Sequence, residues 1–163
     1  MLRRTGFKKK AYERPPSPPP TRGRLVAMAT ITDDVMSAPK DPRHEDRHLL
    51  NMARGQPCLL QTPLCNHNPE TSVACHSNSG QHGKGGARKA HDAYSVVGCH
   101  SCHSWLDASP ASHEEKAAVF AAGHGRQVKA WQAIASDPHA PAKDRASAQA
   151  ALDKIAADEI RLR

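Results

Sequence analysis

Between Cys58 and Cys102 the chain carries five cysteines but few large apolar side chains, and that combination limits what it can fold into. Gly, His, Asn and Cys dominate this stretch, so hydrophobic burial alone does not hold it together. Cys58 and Cys65 have six residues between them, and Cys99 and Cys102 have two. Two cysteine pairs separated by a loop are how a small domain builds a tetrahedral thiolate site for structural Zn²⁺. The knuckle Cys99-His100-Ser101-Cys102 turns both sulfurs toward one point, whereas the first pair is wider than a standard knuckle. Structural zinc contributes on the order of 10 kcal/mol to folding, about what so thin a core lacks. The alternative is a set of unrelated thiols in a reducing cytosol. Cys75 is left over and is expected as a partly buried free thiol. Cys99-x-x-Cys102-His103 also has the form of a c-type haem attachment site. That reading needs export and leaves Cys58 and Cys65 unexplained.

At 163 residues and 17.6 kDa the chain is expected to form one domain with tails. Its +7 net charge is confined to the start: residues 1–25 hold eight Lys/Arg against the single acid Glu13, and the remainder is balanced. Five of the thirteen prolines fall between Pro15 and Pro20, which predicts an extended, disordered basic arm over residues 1–40. Arg3, Arg4, Lys8, Lys9 and Lys10 of that arm are candidate phosphate contacts to DNA, or simply a solvated tail. The basic opening is not followed by the 7–15-residue apolar core of a secretory signal. No stretch approaches the ~20 apolar residues of a membrane span. A cytoplasmic location is therefore expected, with no membrane partner.

The rest divides into residues 41–136, a small α+β domain with flanking helices, and 137–163, an Ala-rich C-terminal helix. A helix is predicted after Pro42 with Leu49, Leu50 and Met52 on one face, ended by Gly55 and Pro57. Short strands over Thr71–Cys75 and Tyr94–Val97 suggest a hairpin around a glycine-rich loop. A short helix runs through Trp105 and Leu106 to Asp107. Ser112-His113-Glu114-Glu115 has the spacing of a capping box, opening a helix with Val119 and Phe120 that is expected to break around Gly123 and Gly125. Val128, Trp131 and Ile134 form a core stripe beyond it. The Ala-rich segment has a thin apolar face, Leu152, Ile155 and Ala156, and is expected as a loosely docked appendage. Gly83-Lys84 does not form a P-loop, because Gly85 stands where Ser or Thr is required.

Six of the eleven histidines lie between Arg54 and Ala108. His76 closes the first predicted strand and His103 opens the helix after the knuckle. Across a zinc-stapled hairpin such a pair can hold a metal and activate water. From about Arg54 to Trp131 the sequence resembles the YbcO-like putative nuclease family of prophages, within the HNH superfamily. The resemblance rests on Ala53-Arg54-Gly55, Asn68-Pro69-Glu70-Thr71-Ser72-Val73, Ala74-Cys75-His76, Gly83-Lys84-Gly85 with Lys89 and Asp92, and Cys99-x-x-Cys102-His103-x-x-Leu106-Asp107. It is similar also to RecA-dependent HNH nucleases of phages.

The resemblance implies a treble-clef, ββα-metal unit with zinc on Cys58, Cys65, Cys99 and Cys102. It implies His76 as general base, Asp92 at the middle position that orients the base, and His103 as ligand of a catalytic divalent cation such as Mg²⁺. Lys84 and Lys89 on the glycine loop would contact DNA phosphates, or form a solvated loop. Two departures stand out. Cys75 occupies the place before the base, where many HNH enzymes carry an acid or His, and Asp replaces Asn at the middle. Two functions remain open at this point: a phage or prophage endonuclease, and a non-cutting zinc-stapled module that holds nucleic acid or a phage or host recombination protein.

Overall fold

The structure, a computed structural model, describes residues 42–161. The basic arm, with Arg3, Arg4, Lys8, Lys9 and Lys10, lies outside the described residues. At the centre is a two-stranded antiparallel sheet of β1 (Val73–His76) and β2 (Ser95–Gly98), with Val73 opposite Gly98 and His76 opposite Ser95. β1 starts later than predicted because Pro69–Thr71 turns into a 3₁₀ helix, capped by Asn68 accepting from Glu70 N–H. β2 likewise follows a 3₁₀ turn over Asp92–Tyr94.

Helix α1 (Arg47–Asn51) precedes the sheet, and its N-cap Asp46 accepts from the N–H groups of His48 and Leu49. Helix α2 (His100–Ala108) leaves β2 directly, with Cys99 as its N-cap. The Ser112–Glu115 capping box opens α3, as the spacing predicts: Ser112 Oγ accepts from Glu115 N at 3.1 Å, and Glu115 Oε2 accepts from Ser112 N at 3.1 Å.

Helix α3 (His113–Ser136) does not break at its glycines. A Cβ at Gly123 would sit 3.2 Å from Leu60 Cα, 3.2 Å from Val96 Cγ1 and 3.3 Å from Leu59 O. The residue thus serves close packing of helix on loop and sheet, not termination. The next turn latches the same loop. Arg126 donates to Leu59 O (2.9 Å) and Leu60 O (3.3 Å), and Gln127 Oε1 accepts from Val97 N (3.0 Å).

Helix α4 (Ala142–Arg161) is likewise no appendage. It places Ala148 and Ala151, both fully buried, in a cluster with Leu49, Ala93 and Trp131. Small side chains let the helix approach closely, so a thin apolar face suffices. Polar ties fix it further: His48 Nε2 lies 2.7 Å from Asp144 Oδ1, and Tyr94 donates to Asp158 Oδ2 at 3.0 Å. A second cluster surrounds the cysteines and adds Leu60, Val96, Leu106 and Phe120. Among the described residues no helix is long and apolar enough to cross a membrane.

His124 sits between the two clusters, its ring 5.4 Å from Tyr94 and 5.9 Å from Phe120, with Nε2 2.9 Å from Ala93 O. Burial pushes its pKa, and those of His82 and His91, below the ordinary 6.5. A depressed imidazole pKa means that the unfolded chain takes up protons first. Stability is therefore complete above pH 6.5 and falls as the pH drops toward the folded values. Replacing His124 with Gln, which keeps a donor for Ala93, is expected to flatten part of that loss in urea titrations between pH 7 and pH 5. Equal pH slopes in the two proteins would exclude His124 as a source.

Candidate metal centre and histidine cleft

Two segments bring four sulfurs to one point. Cys58 and Cys65 flank the loop that α3 latches, and Cys99 and Cys102 lie in the first turn of α2. The sulfurs of Cys58, Cys65, Cys99 and Cys102 all lie within 4.8 Å of one another. Cys58 to Cys102 is 3.6 Å and Cys65 to Cys99 is 3.8 Å. A tetrahedron with metal–sulfur bonds of about 2.3 Å has edges of about 3.8 Å, so the spacing fits one soft metal ion.

N–H and O–H groups point at the sulfurs as they would at thiolates. Cys99 N donates to Cys58 Sγ (3.3 Å), and Thr62 donates to Cys102 Sγ from both N (3.4 Å) and Oγ1 (3.2 Å). Without a cation the four cannot ionise together. Burial and the neighbouring sulfurs push Cys102 up. Burial also raises Cys99, but hydrogen bonds from Cys102, Asn66 and Cys65 outweigh it and bring that thiol down to about 7. Among the described residues this is the one group of three or more His, Cys, Asp or Glu side chains that could hold a metal ion. The convergence turns Cys99 and Cys102 inward, away from any haem. Cys75 stays outside the group and is more deeply buried than expected, with no exposed surface and its thiol pushed up to about 12 chiefly by burial.

Beside the metal centre, β1, α2 and the glycine loop enclose an open cleft of about 500 Å³. His76, His103, Lys84 and Lys89 all line it, together with Arg54, Asn78 and Asp107. Asp92 stands behind His76, with its Oδ1 2.9 Å from His76 Nε2. That carboxylate is 3% exposed. It also accepts from Arg43 NH2 at 2.6 Å on Oδ1, and from Asp46 N at 2.8 Å on Oδ2. Burial opposes ionisation of Asp92, but the bonds from His76, Asp46 and Arg43 outweigh it and hold the carboxyl below its usual range. With Asp92 ionised, His76 Nε2 is the donor and Nδ1 is left as the basic nitrogen.

His103 Nε2 lies 3.2 Å from Asp107 Oδ2, one helical turn on. Asn78 donates to Asp107 Oδ1 (3.4 Å) and in turn accepts from Lys84. Lys89 and Arg54 have no ion-pair partner among the described residues.

Sequence reasoning alone misses the roles of Arg43 and Asp107. Asp107 had a signal, the i,i+4 spacing from His103 on one helix. Arg43 had none, since it meets Asp92 across 49 residues.

The geometry defines a small α+β domain in which four cysteine sulfurs converge on a point that could hold a metal ion, with a cationic, imidazole-lined cleft beside it. The chain belongs to the family described as "Putative nuclease YbcO", which matches residues 47–136. It is 39% identical over 61 residues to "Putative nuclease YbcO" of Escherichia coli (strain K12), and equally to "Putative nuclease ybcO" of Enterobacteria phage 82. These alignments cover 36% of this chain and 62% of each relative, so the chain spans about three fifths of the curated proteins it matches. A solved structure described as a putative bacteriophage protein from Escherichia coli str. K-12 substr. MG1655 is 25% identical. That comparison covers 50% of this chain and 91% of the other, with a TM-score of 0.39.

The sulfur geometry predicts one tightly held metal ion per chain. Stripping it with a strong chelator, or replacing Cys102 with Ser, is expected to abolish the cooperative unfolding transition, consistent with a contribution of about 10 kcal/mol. A stripped chain that still unfolds cooperatively at the same temperature would refute the stapling role.

Proposed function

We propose that the chain is a metal-dependent endonuclease of the HNH type, hydrolysing DNA phosphodiester bonds in a phage- or prophage-carrying bacterial cytoplasm. Zn²⁺ would occupy the four-cysteine site, because a soft tetrahedral thiolate set suits it best. The observation that carries the reading is the pairing of His76 with a buried carboxylate in the same cleft that His103, Lys84 and Lys89 line.

In this scheme Nδ1 of neutral His76 takes a proton from water as the oxygen attacks phosphorus. Asp92 holds the ring by its Nε2–H and stabilises the charge it acquires. The phosphorus–oxygen bond to the leaving group breaks, and the departing alkoxide takes a proton from solvent, giving a phosphomonoester and a hydroxyl. A divalent cation such as Mg²⁺, held by His103 and Asp107, would supply neutralisation of the charge on the phosphate and the leaving oxygen. Lys84, Lys89 and Arg54 contribute positive charge along the strand's path. The family description supports a nuclease, and the fit of HNH roles to His76, Asp92 and His103 is our own reading.

One observation favours the rival, a non-cutting module for nucleic acid or a recombination partner. The cleft offers His103 and Asp107, and no third His, Cys, Asp or Glu completes a metal-binding group there among the described residues. A cleavage assay with Mg²⁺ or Mn²⁺ separates the two. His76→Ala is expected to lower kcat by roughly 10²–10⁴-fold, the usual share of a general base. Cleavage that survives the substitution removes His76 from that role, and no cleavage of any DNA by the wild type favours the module.

The fold being close to neutral outside residues 1–25, nonspecific affinity is assigned to the arm. Deleting those residues is expected to weaken DNA binding and flatten its dependence on salt concentration. Binding unchanged at several salt concentrations would contradict this.

A further inference from the structure

Asp92 is held from a direction that the family match does not cover. The match begins at residue 47, and the segment just before it wraps the Asp92 turn. Arg43 Nε donates to Ala90 O at 3.1 Å and its NH2 donates to Asp92 Oδ1 at 2.6 Å. His44 N donates to His91 Nδ1 at 2.8 Å, and His44 O accepts from Asp92 N at 2.9 Å. Asp46 N donates to Asp92 Oδ2 at 2.8 Å. Both carboxylate oxygens are thereby fixed, and Oδ1 is shared between Arg43 and His76.

A carboxylate 3% exposed needs a counter-charge. Arg43 is permanently cationic and its own side chain is 21% exposed, so it supplies that counter-charge from the edge of the site and leaves His76 to be held by its hydrogen bond.

We infer that Arg43 is a positioning residue for the base: its guanidinium, donating to Asp92 Oδ1, supplies the counter-charge of the carboxylate that holds His76 oriented through Nε2. This deepens the nuclease reading and rests on it for the kinetic part. The orientation of His76 is a property of the fold and can be measured without any activity.

The test uses the full chain with Arg43→Ala and Arg43→Lys, each in wild-type and His76→Ala backgrounds. The first readout is side-chain ¹⁵N NMR near neutral pH. The wild type is expected to show His76 with a protonated Nε2 and an unprotonated Nδ1. Arg43→Ala is expected to lose that signature, and Arg43→Lys to retain part of it. The second readout is cleavage. Arg43→Ala is expected to lower kcat by roughly 10–100-fold, the scale of an outer-shell loss, with KM within about twofold. Arg43→Lys should recover part of kcat, and Arg43→Ala should cost nothing further once His76 is Ala.

An unchanged His76 signature in Arg43→Ala overturns the inference, as does an equal kcat loss in the His76→Ala background. Should Arg43→Ala not fold, Arg43→Gln, which removes the charge and keeps a donor, decides by the same NMR measurement: a lost signature supports the inference and an unchanged one overturns it. If the wild type cuts no DNA, the nuclease reading falls while the NMR comparison still decides the role of Arg43.

Discussion

Four sulfurs drawn within 4.8 Å of one another are the constraint that the domain is organised around. The cluster that surrounds them consists of Cys58, Leu60, Cys75, Val96, Cys99, Cys102, Leu106 and Phe120, so half of its buried members are cysteines, three of them from the four-sulfur group. With only Leu60, Val96, Leu106 and Phe120 as large apolar members, burial offsets little of the entropy of ordering the loops from Cys58 to Cys102. An ion held by the four sulfurs would act where burial is weakest, because it would tie the wide Cys58–Cys65 loop to the start of α2. Arg126 of α3 latches the same loop and Gln127 the neighbouring strand, so the helix and the sulfur cluster meet that loop from two sides.

A second organising point is polar. The Asp92–Tyr94 turn joins elements that share no metal. Asp92 takes hydrogen bonds from Arg43, Asp46 and His76, Ala93 O lies 2.9 Å from His124 Nε2, and Tyr94 bonds Asp158 of α4. The two candidate site imidazoles are therefore placed by different physics. His103 rides on the first turn of α2, whose position follows from the thiolates, whereas His76 is held at the end of β1 by a buried carboxylate.

What was legible in the sequence was whatever is encoded locally. The cysteine spacings and the Ser112–Glu115 box act within a few residues, the hairpin joins strands that follow one another along the chain, and all three appear in the structure. Gly123 misled because its local meaning, a poor helix former, is opposite to its tertiary one. The helix keeps its course since Leu59, Leu60 and Val96 occupy the space a side chain would take. The docking of α4 was hidden for a related reason: Ala148 and Ala151 look featureless until a neighbour packs on them. His76 and His103 stand out by their places at a strand end and after the knuckle, and Asp92 by resemblance, but the cleft that the two histidines share with Lys84 and Lys89 depends on how the loop folds back. The Arg43 contact depends on chain closure over 49 residues, which no periodicity signals.

The residue before the proposed base can be understood from the strand itself. Side chains alternate across β1, and Cys75 points into the sulfur-rich core while His76 opposite Ser95 lines the cleft. Cys75 has no exposed surface, and its sulfur lies so near Gly98 that a Cβ there would come within 2.5 Å of it. An acid at position 75 would thus carry its charge into the apolar cluster beside the four sulfurs, and not into the cleft that His103 lines. The small neutral thiol is what this side of the strand accommodates. In the proposed mechanism the carboxylate that many HNH enzymes place before the base comes instead from α2, where Asp107 stands one turn beyond His103 on the open side of the sheet.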